Sequence, residues 1–395
     1  MSADWPRVPL GEVLKHRKEF IQIDDFQEYK RCRVQLHAQG VVLRDTVPGV
    51  EIKTKKQQVC LAGEFLVAEI DAKLGGYGIV PPDLEGSIVS SHYFLFGINE
   101  AKLDRRFLDF YIRTADFFEQ VAAQGSTNYA AIRPGHVLAY TMPLPPLAEQ
   151  RRIVERVEAV AARIADARRL REESRTHAQH VVKQGANSTF EELEAKYEPK
   201  RFGDFNPHVT SGPRNWAARY VDAGTRFYRA QDLLLDGRLA TSGKVFIEPP
   251  DSTQGQGARL CPGDLMLVIT GATVGRVAEY THGLEPGYVS QHVAICRLGT
   301  EAVVPRFALW RLLSTNGQDE LTGQRYGQGK PGLNLTNIRN LTLPVPPLPE
   351  QRRIVAHLDS LQAKADALRA LQSETAAELG ALLPSVLNRA FAGEM

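Results

Sequence analysis

Residues 143–154 read PLPPLAEQRRIV and residues 344–355 read PVPPLPEQRRIV: ten of twelve positions are identical at an offset of 201. A chain that duplicates such a string must be read as a repeat first. Pro145, Pro146, Pro346 and Pro347 suit the start of a helix and not its interior. Glu149 and Glu350 follow where a helix N-terminus favours carboxylates. Downstream, Ile153, Val157, Val160, Ile164 and Ala167 step by four and three, and so do Ile354, Leu358, Leu361, Ala365 and Leu368. Two apolar seams of period near 3.5 predict coiled-coil packing, with the two helices antiparallel. The first helix is expected over about 147–182, roughly 50–55 Å at 1.5 Å per residue. The second is expected from about 347 to beyond 380, interrupted near Pro384. The polar stretch 183–200, ending after Pro199, reads as a linker with one helical turn from Thr189.

Fainter echoes lie upstream of each junction. Gly63-Glu64-Phe65-Leu66 aligns with Gly263-Asp264-Leu265-Met266, and Ile88 to His92 with Tyr288 to His292, both at an offset of 200. Pro9 to Val13 resembles Arg201 to Phe205, and Asn128, Ile132 and Arg133 resemble Asn334, Ile338 and Arg339. The expected plan is therefore a domain at 1–146, a helix and linker at 147–198, a second domain at 199–347 and a helix at 348–395. Residues 64–70, 264–270 and 293–298 read as strands, and 107–120 and 305–314 as short amphipathic helices. The fold class is α+β, with glycine-rich loops where binding usually sits. The two domains have diverged far more than the junctions, so the junctions share a mechanical task and the domains take different ligands or different versions of one.

Of 395 residues, 43% are hydrophobic and 24% charged, which fits a folded globular chain. No apolar run reaches the roughly 20 residues of a membrane span, and the N-terminus does not read as a signal peptide, so a cytoplasmic protein is expected. Cys32, Cys60, Cys261 and Cys296 lack zinc-ligand spacing and read as free, buried thiols. The net charge of +2 is small for a protein that holds DNA by charge alone. Residues 199–347 carry 16 basic and 12 acidic residues, and 13 of those basic residues are Arg, whose forks suit phosphates and guanine edges.

Catalytic motifs are unconvincing. Val80-Pro81-Pro82-Asp83 and Glu248-Pro249-Pro250-Asp251 lack the aromatic an amino-methyltransferase needs. Gly323 to Lys330 has the wrong spacing for a phosphate loop and is followed by Pro331. Asp83, Glu100 and Lys102 fit only a permissive nuclease pattern, and His177 and His180 lack further metal ligands nearby.

The duplicated junction, two seams and two divergent domains resemble the specificity subunit of a Type I restriction–modification system, along essentially the whole chain. Gly263-Asp264, 271–275 (GATVG) and Ser290-Gln291-His292 are also similar to that family; the first domain departs, with Ser91 in place of Gln291 and 73–76 in place of the GATVG string. The resemblance implies a non-catalytic DNA-recognition subunit serving phage defence. Each domain would read one half of a bipartite double-stranded DNA site, and the paired helices would set the gap and dock two methyltransferase subunits. The chain itself would bind no cofactor. S-adenosylmethionine would be used by the modification subunits, ATP and Mg²⁺ by a restriction/translocase subunit. A helix of about 50 Å spans roughly 15 base pairs at about 3.4 Å each. Candidate base readers are Arg229, Thr273, Arg276, Gln291, His292, Arg325, Gln328 and Lys330 in the second domain, and Lys73, Tyr77, His92, Asn128 and Arg133 in the first. Arg suits guanine O6/N7, and Gln or Asn suits adenine N6/N7. The alternatives are a stand-alone nuclease using Asp83, Glu100 and Lys102, or a coiled-coil scaffold that binds only proteins.

Overall fold

The computed structural model describes residues 5–123, 131–249, 255–323 and 332–394. The chain forms two compact units: residues 1–170 with 373–395, and residues 171–372. Both mix α and β structure.

In the first unit, β1 (Leu14–Arg17), β2 (Phe65–Ala68), β3 (Tyr77–Ile79) and β4 (Tyr93–Ile98) form an antiparallel sheet in the order β1-β4-β2-β3. In the second, β5 (His208–Ser211), β6 (Asp264–Val268), β7 (Val277–Tyr280) and β8 (Val293–Arg297) repeat that order as β5-β8-β6-β7. The central strands β2 and β6 are buried at every position, the pattern of strands covered on both faces. Each sheet is followed by two short helices: α1 (Arg105–Tyr111) and α2 (Ala115–Ala122), then α3 (Pro134–Ala139). The helix expected over 107–120 is thus broken, because Thr114 caps α2 by accepting from the Phe117 N–H. The long helix α4 (Leu147–Lys196) follows. The second unit repeats the set with α5 (Pro305–Leu313), α6 (Thr315–Gly323) and α7 (Leu335–Asn340), followed by α8 (Leu348–Glu374) and α9 (Ala376–Phe391).

The units differ elsewhere. The first adds a five-stranded sheet built largely from residues 20–59; the second has a four-stranded sheet of very short strands between Tyr220 and Val289.

Two helix expectations need correction. The polar stretch read as a linker is the last quarter of α4. Its apolar residues Ala186, Phe190 and Leu193, with Val182 just before them, are buried in the core of the second unit, where the Phe190 and Phe307 rings lie 5.1 Å apart. Packing overrides the weak propensity of Gly185, Asn187 and Ser188. Gly185 lets Leu361 pack close: a Cβ there would stand 2.9 Å from the Leu361 Cδ1 methyl, which would have to shift. Within that unit Gln372 Nε2 donates to the Arg171 carbonyl at 3.1 Å, and Tyr197 Oη donates to Glu350 Oε2 at 2.8 Å, so the second half of α4 and α8 run antiparallel. The C-terminal helix breaks at Thr375, and α9 runs through Pro384. One lost backbone bond is tolerated because Leu387 and Ala390 are buried beside Ile153, Val154 and Val157 of the first unit. Of the thiols, Cys32, Cys60 and Cys296 are buried, whereas Cys261 is exposed, since it lies in the turn before β6.

The duplicated junction is a joint. Gln150 is fully buried; its Oε1 accepts from the Asp104 N–H at 2.8 Å, and its Nε2 donates to the Lys102 and Pro145 carbonyls at 2.9 Å. Gln351 is also fully buried, and it accepts from Val304 N–H at 2.9 Å and donates to Ala302 and Pro346 carbonyls at 2.8 Å. In each unit one amide therefore ties the start of the long helix to the loop leading into the helix after the sheet. The Arg152 guanidinium holds the Glu149 carboxyl below its usual range, and the Tyr197 hydroxyl does the same for Glu350.

Candidate nucleic-acid interface

The repeats meet again at the ends of their central strands. After β2, Glu69 N–H donates to the His92 carbonyl (2.8 Å) and Ile132 N–H donates to the Glu69 carbonyl (2.9 Å). After β6, Ile269 N–H donates to the His292 carbonyl (2.9 Å) and Leu333 N–H donates to the Ile269 carbonyl (2.8 Å). Backbone bonding thus superposes Glu69 on Ile269, His92 on His292, and Arg133 on Asn334. Arg133 and Asn334 cap α3 and α7 respectively. The sequence pairing of Arg133 with Arg339 was therefore five residues out of step.

Although the backbones agree, the side chains do not. In the first unit Glu69 is mostly covered (12% exposed), and both its oxygens are engaged. His92 Nδ1 lies 2.7 Å from Oε2, and Arg133 Nη1 donates to Oε1 at 2.5 Å. The His92 and Arg133 side chains themselves stand 69% and 63% exposed. In the second unit the contacts form a neutral chain. Thr270 Oγ1 lies 2.5 Å from His292 Nδ1, and Gln291 Nε2 lies 3.1 Å from His292 Nε2. The consistent assignment has Gln291 donating to Nε2 and Nδ1–H donating to Thr270. That leaves Gln291 one N–H and its carbonyl oxygen, the donor–acceptor pair that matches an adenine edge.

The loops beside these sites are set by glycine. Gly75 ends the turn Asp71–Leu74 with φ +80°, and a Cβ there would meet the backbone of His37 and Ala38 at 2.7–2.8 Å. Gly271 and Gly275 take φ of +101° and +95° around Thr273, which is half-buried.

Several expected readers are placed elsewhere. Tyr77 is a core residue: its ring meets Phe117 edge-on at 5.1 Å, and burial pushes its phenol above the usual range. Lys73 is buried in the turn after β2. Neither presents its side chain to a ligand, because the chain turns inward between Ala72 and Gly78. Arg229 is structural, donating to Asp232 Oδ1 (3.0 Å) and to the Gly243 carbonyl (2.8 Å). Asp232 also faces the fully buried Arg226 at 3.4 Å. Arg276 donates to the Leu233 carbonyl at 3.1 Å and so braces the same loop. Asn128, Arg325, Gln328 and Lys330 lie outside the described residues.

Among the described residues no three His, Cys, Asp or Glu side chains gather to hold a metal ion. Glu100 of the nuclease-like pattern is paired with Arg105 at 3.1 Å, and His177 and His180 are exposed on α4. No helix among the described residues is long and apolar enough to cross a membrane.

Known proteins share this architecture. Residues 231–377 match the family described as Type I restriction modification DNA specificity domain. The Type I restriction enzyme EcoBI specificity subunit of Escherichia coli is 22% identical over 364 residues, 81% of this chain and 75% of that protein. A solved HsdS subunit from Thermoanaerobacter tengcongensis is 25% identical with a TM-score of 0.62, over 99% of this chain and 97% of the other. The chain resembles Type I specificity subunits along most of its length. A chain solved in work on complex assembly and conformational transition of the type I R-M system shares the fold over the full length of both, at 24% identity and a TM-score of 0.75.

The segment matched by the family contains Thr270, Gln291, His292, Asn334 and the second junction. The equivalent cluster of the first unit lies outside it and rests on the repeat alone. Glu69, Thr270 and Asn334 are functional candidates that sequence reasoning missed. A signal existed: positions 69 and 269 fall at the 200-residue offset shared by the strands and by the two histidines.

Proposed function

We propose that this specificity subunit reads a bipartite DNA sequence, with one half-site taken by the His92 cluster and the other by the His292 cluster. One observation carries the assignment. The two clusters occupy the same place on the same backbone framework, yet one sets the ionic pair Glu69 and Arg133 beside His92 and the other sets the uncharged Thr270 and Gln291 beside His292. A framework kept constant while its exposed polar side chains change is suited to two different base sequences. In this reading the chemistry falls to partners. These are two methyltransferase subunits using S-adenosylmethionine, and a restriction subunit using ATP and Mg²⁺; the chain itself binds no cofactor.

The two buried glutamines fit this division of labour: each ties its domain to a long helix, as a subunit that positions half-sites requires. The helices, paired as an antiparallel coiled coil between tandem recognition domains, set the spacer and dock the methyltransferases. Partners also supply part of the phosphate contact that a net charge of +2 cannot.

The test is a methylation map of host DNA with and without this gene, its methyltransferase partner kept. Loss of one bipartite motif is expected. An unchanged map, together with Mg²⁺-dependent cutting by the purified chain, would replace this reading with a nuclease. Inserting one heptad into α4 and one into α8 should lengthen the spacer and leave both half-sites alone; altered half-sites would refute the ruler.

A further inference from the structure

We infer that Glu69 is the positioning residue of the first half-site, and that it fixes Arg133 to read a G·C pair. The inference rests on the DNA-recognition reading above and deepens it. Arg133 sits at the N-cap of α3, so its backbone is set by the helix, and its Nη1 is anchored on Glu69 Oε1. An arginine side chain has several rotatable bonds, and a free one would lose much conformational freedom on docking. With one nitrogen anchored, the rest of the fork projects outward as paired donors, the geometry that recognises guanine O6 and N7. Glu69 itself is too covered to meet DNA, and its second oxygen is taken by His92.

The carboxylate does two things at once. It orients the guanidinium, and it holds His92 beside it. The second unit shows what happens without it. Ile269 replaces Glu69, Asn334 replaces Arg133, and the Asn334 side chain is spent on the Asn337 N–H of its own helix. There the exposed polar edge passes to Gln291, held by His292. The two units thus use the same framework for different chemistries, a cation held by a mostly covered acid and an amide held by an imidazole.

The experiment uses the full chain with its methyltransferase partner in cells, and reads the methylated motif base by base. The variants are Glu69→Gln, Arg133→Lys and Gln291→Ala. In Glu69→Gln and Arg133→Lys, discrimination at one G·C pair in a single half-site should fall by about tenfold or more, at the same pair in both. The other half-site should stay intact in those two variants and change in Gln291→Ala. A uniform drop in methylation with no change of base preference would mean Glu69 only supports the fold, and would overturn the inference. So would an unchanged motif in Arg133→Lys, whose exposed side chain can be replaced without disturbing packing even should Glu69→Gln fail to fold. Absence of any bipartite motif with the unaltered chain would instead remove the DNA-recognition reading itself.

Discussion

Replacing Gln351 by leucine tests the claim that the duplicated junction is a joint. The change conserves most of the volume and removes only the amide. Three hydrogen bonds disappear at once, from Val304 N–H and to the Ala302 and Pro346 carbonyls, in a site with no solvent exposure. A buried main-chain group left without a partner costs about 1 kcal/mol or more; the Pro346 carbonyl is buried and the other two partners are part-covered, so the loss is about 1–3 kcal/mol. Against a typical stability of about 5–15 kcal/mol this is severe but survivable. Urea unfolding of the full chain should show the transition of the second unit displaced by about 0.3–1 M, at a slope of about 3 kcal/mol per M. Amide exchange should localise the damage: Val304 N–H loses protection, while Asp104 N–H in the first unit keeps its own. Gln150→Leu should give the mirror result, with Asp104 exposed and Val304 protected. A displacement worth less than about 1 kcal/mol in both variants, or unchanged exchange at both amides, would refute the joint.

Arg229→Ala should cost about 1 kcal/mol of stability, because it removes one of the two arginine partners of the buried Asp232, and should leave the methylated motif unaltered; a changed motif would restore Arg229 as a base reader. Native-state alkylation near pH 8 should label one thiol, Cys261, against four in denaturant. Cys32, Cys60 and Cys296 are buried, and burial pushes the Cys296 thiol up to about 12; rapid labelling of two or more would contradict this. His16 is half-buried against Phe94 and Phe96, and that burial, with Lys18 nearby, holds its imidazole below the ordinary value of 6.5. A depressed folded value means the stabilisation is complete above that ordinary value and is lost as pH falls through the folded one. Between pH 7 and 5 the first unit should therefore lose less stability in His16→Asn than in the unaltered chain; equal losses would remove His16 as a cause.

The junction was legible because its residues work locally. Prolines, a buried glutamine and an apolar pair must keep fixed spacing to start a helix and tie it down, so the pattern survives in one dimension. The last quarter of α4 was not legible, because its polar composition hides three buried apolar residues whose partners, Phe307 and Leu358 among them, lie more than a hundred residues away. The arginines misled for a related reason. Arg229 and Arg276 sit on glycine-rich loops and look like readers, yet each bonds within its own unit; only the acid three residues after Arg229 hinted at it. Glu69 shows the converse. In sequence it is one acid among many in a domain whose charges nearly cancel. Its meaning depends on the chain crossing back twice, once to bring His92 and once to bring Arg133. A repeat can reveal such a site where single-residue reading cannot. Two copies that share backbone bonds at 69 and 269 are constrained there by the fold, so a change from Glu to Ile at that position must be tolerated by the framework and is free to alter what the surface reads. If that reasoning holds, exchanging the trio Glu69, Ile70 and Arg133 for the residues at 269, 270 and 334 should move the first half-site away from its G·C pair without unfolding the unit. A variant that unfolds would show that Glu69 belongs to the framework after all.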